Sequence, residues 1–258
     1  MKRLFLLLTL LCLTVTAEAA VKTKIIEYKQ GDTVLEGFLA WDDTKTDKRP
    51  GVLIVHEWTG INAHMKQRAE MLAKLGYVAF AADIYGKGIR PTVQPEAAKT
   101  AGIYKNDRPL MRDRVKAGLA ELKKQELTDP QRIVAIGYCF GGTTVLELAR
   151  DGADLKGVVS FHGGLSTPTP QDAKNIKGRV LALHGADDPF VKADEVAAFQ
   201  DEMRKGAVDW QFVSYGNAVH SFTNTAAGND NSKGAAYNEK ADKRSWEAMT
   251  VFFAEIFR

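Results

Sequence analysis

Short continuous apolar runs alternate along this chain with longer segments whose apolar residues recur at helical spacing. Residues 22–29 and 33–41 carry Ile26, Tyr28, Val34, Phe38 and Trp41 on either side of Gly31-Asp32, which predicts a β-hairpin. Gly51-Val52-Leu53-Ile54-Val55 and the run from Tyr77 to Ala82 read as strands buried on both faces. Between them Met65, Ala69, Leu72 and Leu75 predict a helix from about Asn62, stopped by Gly76. Further strands are predicted at 132–137, 155–161, 179–183 and 208–215. Helices are predicted at 112–124, from about 140 to Arg150, at 193–204 and at 240–257. Residues 86–109 are the least regular stretch, with Gly86, Gly88, Pro91, Pro95 and Pro109. They suit a lid, a substrate-binding excursion or a loop with a short helix. Alternating strands and helices imply one α/β domain, with a mostly parallel sheet, helices on both faces and the hairpin at its start.

The first residues stand apart. Lys2 and Arg3 precede an apolar stretch from Leu4 to Val15, too short to span a bilayer, followed by Ala17-Glu18-Ala19. This is the pattern of a secretory signal peptide over residues 1–19, leaving a mature domain of residues 20–258 in the periplasm or outside the cell. Cys12 would leave with the leader, so the mature protein would carry the single thiol of Cys139. A lone thiol in an oxidising compartment is either buried and inert or put to use.

Composition is that of a soluble globular protein, 45% hydrophobic and 26% charged with a formal net charge of +3. Basic and acidic residues are interspersed, which argues against a nucleic-acid partner. No pair of histidines shows helical ligand spacing, so neither a metal nor another cofactor is expected. A monomer, off the membrane once the leader is cut, is expected.

The chemistry concentrates at Gly137-Tyr138-Cys139-Phe140-Gly141, which runs from a predicted strand into a predicted helix. This is the nucleophile-elbow spacing of α/β-hydrolases, with cysteine in the place usual for serine. The nucleophile sits on a sharp strained turn, and glycines two residues either side make room for it. The turn sets the sulfur at a helix N-terminus, where unpaired N–H groups favour a thiolate. An elbow needs an acid and a histidine, in that order along the chain. Asp187, in Leu183-His184-Gly185-Ala186-Asp187-Asp188-Pro189, follows a strand and is preferred to Asp188, which precedes a proline and suits a turn. His220 follows the last strand. Among the other histidines, His56 and His184 sit at strand ends as structural groups. His162, before Gly163-Gly164, could line the pocket, and His64 is expected on an exposed helix face. The expected reaction is acyl transfer. Cys139 attacks an ester, thioester or lactone carbonyl, His220 moves protons, and Asp187 fixes the imidazole tautomer. The Phe140 N–H and, from the loop after Val55, the Trp58 N–H would form the oxyanion hole.

These residues resemble the dienelactone hydrolase family over most of the mature chain. The resemblance is carried by His56-Glu57-Trp58-Thr59-Gly60-Ile61-Asn62, Asp83-Ile84-Tyr85-Gly86, Gly137-Tyr138-Cys139-Phe140-Gly141-Gly142, Asp187 and His220-Ser221-Phe222. It implies that Glu57 can hydrogen-bond the resting thiol and help deprotonate it. It also implies substrate contacts at Tyr85, Lys87 and Asn224, the last two standing where dienelactone-cleaving members carry carboxylate-binding arginines. Lysine keeps a charge without the bidentate fork and asparagine keeps neither, so dienelactone itself is not the expected substrate. Two rival readings are a non-catalytic binding protein on the same fold and a redox-sensing thiol protein. The latter lacks a second mature cysteine to resolve a disulfide.

Overall fold

A computed structural model describes residues 20–258, so the leader-like segment 1–19 lies outside the described residues. The hairpin forms as read, with β1 (Val21–Gln30) antiparallel to β2 (Thr33–Asp42). Six strands follow: β3 (Arg49–Val55), β4 (Val78–Ala82), β5 (Thr128–Tyr138), β6 (Gly157–Phe161), β7 (Arg179–Gly185) and β8 (Trp210–Tyr215). The sheet order is β1-β2-β4-β3-β5-β6-β7-β8, with every pairing from β4 to β8 parallel. The parallel strands end together at one edge, where their following loops gather. In open α/β sheets this is the edge that builds sites.

Alternation along the strands divides the core. In β3, Val52 and Ile54 face one layer and Leu53 and Val55 the other, all four fully buried. Burying each of these side chains contributes about 2 kcal/mol. The first layer holds α1 (Ala63–Lys74), through Met65, Ala69 and Leu72, and α6 (Glu239–Ile256), through Met249, Phe252 and Phe253. The second holds α2 (Gln94–Asn106), α3 (Arg108–Lys124), α4 (Phe140–Arg150) and α5 (Ala193–Lys205). None of the described helices is long and apolar enough to cross a membrane.

Two stretches differ from the expectation. The irregular segment 86–109 contains α2, a full helix of 13 residues, whose buried side is only Ala97, Ala101 and Tyr104. Helix α3 begins four residues before Arg112, because the Asp107 side chain accepts the Leu110 N–H and Pro109 fits the first turn.

The hairpin is tied to the site edge. The Tyr28 hydroxyl donates to the Asp83 carbonyl (3.1 Å) and accepts the Asp83 N–H (2.9 Å). Asp83 Oδ1 in turn takes the N–H groups of Tyr85 and Gly86, and the Tyr85 hydroxyl donates to the Trp58 carbonyl (3.1 Å). One chain of hydrogen bonds therefore joins β1 to the loop after β3.

Candidate active site

Strand β5 hands over to α4 at Cys139, whose backbone lies at φ 54°, ψ −114°. A non-glycine residue there costs about 1–3 kcal/mol and persists only where its surroundings impose it. The Cys139 N–H donates to the Phe161 carbonyl (3.0 Å), with His162 Nδ1 also within reach at 3.2 Å. The two glycines are required for different reasons. A Cβ on Gly137 would sit 2.0 Å from the Gly141 carbonyl oxygen, across the turn. A Cβ on Gly141 would instead sit 2.1 Å from the carbonyl oxygen of Val55, at the end of β3. The elbow thus packs backbone to backbone against the strand that leads to Trp58.

His220 Nε2 lies 3.0 Å from Cys139 Sγ. The histidine backbone is clamped by two hydrogen bonds, from its N–H to the Gly234 carbonyl and from the Ala236 N–H to its own carbonyl. Its Nδ1 lies 2.8 Å from Asp188 Oδ2, which corrects the choice of Asp187. Asp187 is exposed, while Asp188 is buried. The proline that suggested a mere turn is the reason. Asp188 Oδ1 accepts the Phe190 N–H (2.8 Å) across Pro189, and that Asx turn leaves Oδ2 aimed at the imidazole. Burial works against charge on His220. The neighbouring sulfur and the Asp188 carboxylate outweigh it and push its pKa up to about 10.

The Phe140 N–H, first in α4, has no carbonyl four residues back to bond. The Trp58 N–H finds no acceptor among the described residues, and the Tyr85 hydroxyl holds the carbonyl of that residue. Neither donor is taken up by another group among the described residues. Tyr85 is a support rather than an open contact: it is buried, it stacks on Tyr104, and its hydroxyl is spent on Trp58.

Four further expectations need correction. Glu57 does not bond the thiol. Its Oε2 takes the Asn224 amide (2.8 Å), His64 Nδ1 (3.4 Å) and the Asn62 amide (3.4 Å). Burial alone would raise the Glu57 pKa, but the His64 contact and these amides hold it below the usual carboxylate value. Asn224 is spent on Glu57 and on capping a short 3-10 turn through the Ala226 N–H. Lys87 reaches away to Glu27 on the edge strand β1, so it offers the site no charge. His64 is not exposed as expected, because Arg68 Nε donates to its Nε2 and Glu57 receives its Nδ1–H. Arg68 is buried and paired in turn with Asp242.

Two histidines underpin the site. His162 is fully buried at φ 41°, and its Nε2 lies 2.8 Å from Thr223 Oγ1, joining the elbow to the loop that carries His220. Burial and the nearby His220 charge drive its pKa well down, so it is the neutral form that takes the Cys139 N–H. The glycine pair after His162 was the sequence signal for its tight surroundings. His56 donates from Nδ1 to the Glu57 carbonyl (2.6 Å) and accepts the Ile84 N–H at Nε2 (3.2 Å). It stacks beneath Phe140.

Comparison with known proteins agrees with this architecture. The model of the dienelactone hydrolase family matches residues 35–257. A candidate carboxymethylenebutenolidase of Aquifex aeolicus (strain VF5) is 27% identical, over 89% of this chain and 97% of its own. The solved structure titled m3DLH superposes with a TM-score of 0.89 at 44% identity, covering 92% of this chain and 99% of that one. A dienelactone hydrolase-like promiscuous phosphotriesterase, P91, from metagenomic libraries has a TM-score of 0.87 at 42% identity, covering 92% and 98%. With the family matched across nearly the whole described domain, and an elbow, a histidine and a carboxylate gathered at one sheet edge, the chain belongs to the dienelactone hydrolase family and is a hydrolase of that ester- and lactone-cleaving kind.

Proposed function

We propose that this protein is an exported hydrolase of uncharged carboxylic esters or lactones that works through a thioester on Cys139. The observation that carries the reading is the line Asp188 Oδ2, His220, Cys139 Sγ, with separations of 2.8 and 3.0 Å, ending on a strained elbow. In the first step the sulfur, its proton held on His220 Nε2, attacks the carbonyl carbon and forms a C–S bond. The carbonyl electron pair moves onto oxygen, where the N–H groups of Phe140 and Trp58 receive it. Collapse breaks the C–O bond, and the departing alkoxide takes the proton from His220 Nε2. A water then gives its proton to His220 and attacks the thioester. The second collapse expels the sulfur and frees the acid. Asp188 keeps Nδ1 protonated and steadies the imidazolium throughout.

An uncharged substrate is favoured because Lys87 is engaged by Glu27 and Asn224 by Glu57, so neither position offers a cation to a substrate carboxylate. Export rests on the leader-like residues 2–19 alone. The test is a panel of short-chain esters and lactones with the mature protein, followed by mass spectrometry of the quenched reaction. Acyl mass on the peptide holding Cys139, and loss of turnover in Cys139→Ala, are expected. Iodoacetamide labelling of Cys139 that leaves turnover intact would overturn Cys139 as the nucleophile, and no turnover on any member of the panel would instead favour the binding-protein reading.

A further inference from the structure

Phe190 is 61% exposed, yet it is not loose. Its N–H is held by Asp188 Oδ1, and its ring stands edge-on to the His220 ring with centroids 5.4 Å apart. It also lines a cleft of about 520 Å³ between the loop after β6 and helix α5, walled by Leu165, Pro170, Ala198 and Phe199. The wall is fixed, because Glu195 Oε1 accepts the N–H groups of both Leu165 (2.6 Å) and Ser166 (3.0 Å). A single exposed aromatic ring needs no explanation by itself. One anchored to the carboxylate that orients His220, at the mouth of a partly apolar cleft, has a direction.

We infer that this cleft, with Phe190 at its mouth, receives the alcohol part of the substrate, and that the substrates are esters of apolar, preferably aromatic alcohols. The inference rests on the hydrolase reading above. The departing oxygen must lie at His220 Nε2 to collect its proton, so the group attached to that oxygen extends past the imidazole, and Phe190 both packs against that imidazole and lines the cleft. Phe190 supplies a ring for an aromatic group to pack on. Lys192 shares the lining with Asp194, Glu195 and Glu202, so no excess of positive charge draws in an anionic alcohol.

The experiment compares 2-naphthylmethyl acetate with ethyl acetate, which share an acyl group and have leaving groups of similar basicity. The readout is the ratio of their kcat/KM values. Ala198→Trp, which fills the cleft from an exposed position on α5, is expected to lower that ratio about tenfold, and Phe190→Ala about fivefold through KM. If Ala198→Trp fails to fold, Phe190→Ala carries the test alone. An unchanged ratio in the folded variants overturns the assignment. So does a change that appears only when the acyl group is varied, as between ethyl acetate and ethyl butyrate. Wild-type protein that cleaves none of these esters overturns the hydrolase reading itself, a result distinct from an unchanged ratio.

Discussion

Asp188 and His220 meet through a single carboxylate oxygen, Oδ2 on Nδ1 at 2.8 Å, while the other oxygen closes the turn that carries Phe190. The acid therefore orients the imidazole and builds the loop beside it. Asp188→Asn should lower kcat by about 10³-fold or more, since an amide favours the wrong imidazole tautomer. Asp187→Asn, at an exposed position, should stay within about twofold of wild type. Steady-state kinetics on one ester decide the matter, and the reverse order would restore Asp187 as the acid.

The pH profile should show an alkaline limb. His220 holds its proton up to about pH 10, and that proton is the one the leaving group takes. Activity should then fall as pH rises through about 10. The stability linkage has the same sign. A raised histidine pKa contributes stability that is complete below the ordinary value near 6.5 and is lost as pH rises through about 10. Removing the carboxylate in Asp188→Asn should move the limb to lower pH, which a full kcat/KM profile of both proteins would reveal.

Acid should destabilise the fold through His56. Its Nε2 accepts an N–H while its Nδ1 donates, so a second proton would set donor against donor. Burial brings its pKa down to about 4, despite the opposing pull of Asp83. The unfolded chain binds that proton near pH 6.5 and the folded chain does not, so stability is lost as pH drops between the two values. By pH 4 the loss from this group is about 3 kcal/mol. Denaturant unfolding at pH 7, 5 and 4 should follow that slope, and His56→Gln should flatten it.

Gly141→Ala should damage fold and turnover together. The new methyl would meet the Val55 and His56 carbonyl oxygens, which are backbone atoms that cannot rotate aside. A cost of about 3 kcal/mol or more is expected. A thermal transition at the wild-type temperature would refute the close packing of elbow against β3.

What the sequence made legible follows the range of the interaction. Val52 to Val55 read as a buried strand because each residue is apolar, and Cys139 read as an elbow because its glycines lie two positions away. Asp188 was harder: two adjacent acids share the strand end, and the choice depends on which way an Asx turn points its second oxygen. Lys87 and Asn224 were misjudged because their partners, Glu27 and Glu57, lie 60 and 167 residues away in the chain. Helix α2 was obscured because only three of its residues are buried, which leaves little apolar periodicity to detect.

The hydroxyl of Tyr28, shared between the amide and carbonyl of Asp83, gives the first strand a remote duty. A proteolytic nick that released β1 would strand both Asp83 groups beneath the sheet edge and slacken the support that runs through Tyr85 to Trp58. The permissible trimming of the amino end is thus bounded by the Trp58 loop after β3, some thirty positions downstream of Tyr28, and not by the hairpin's own modest packing.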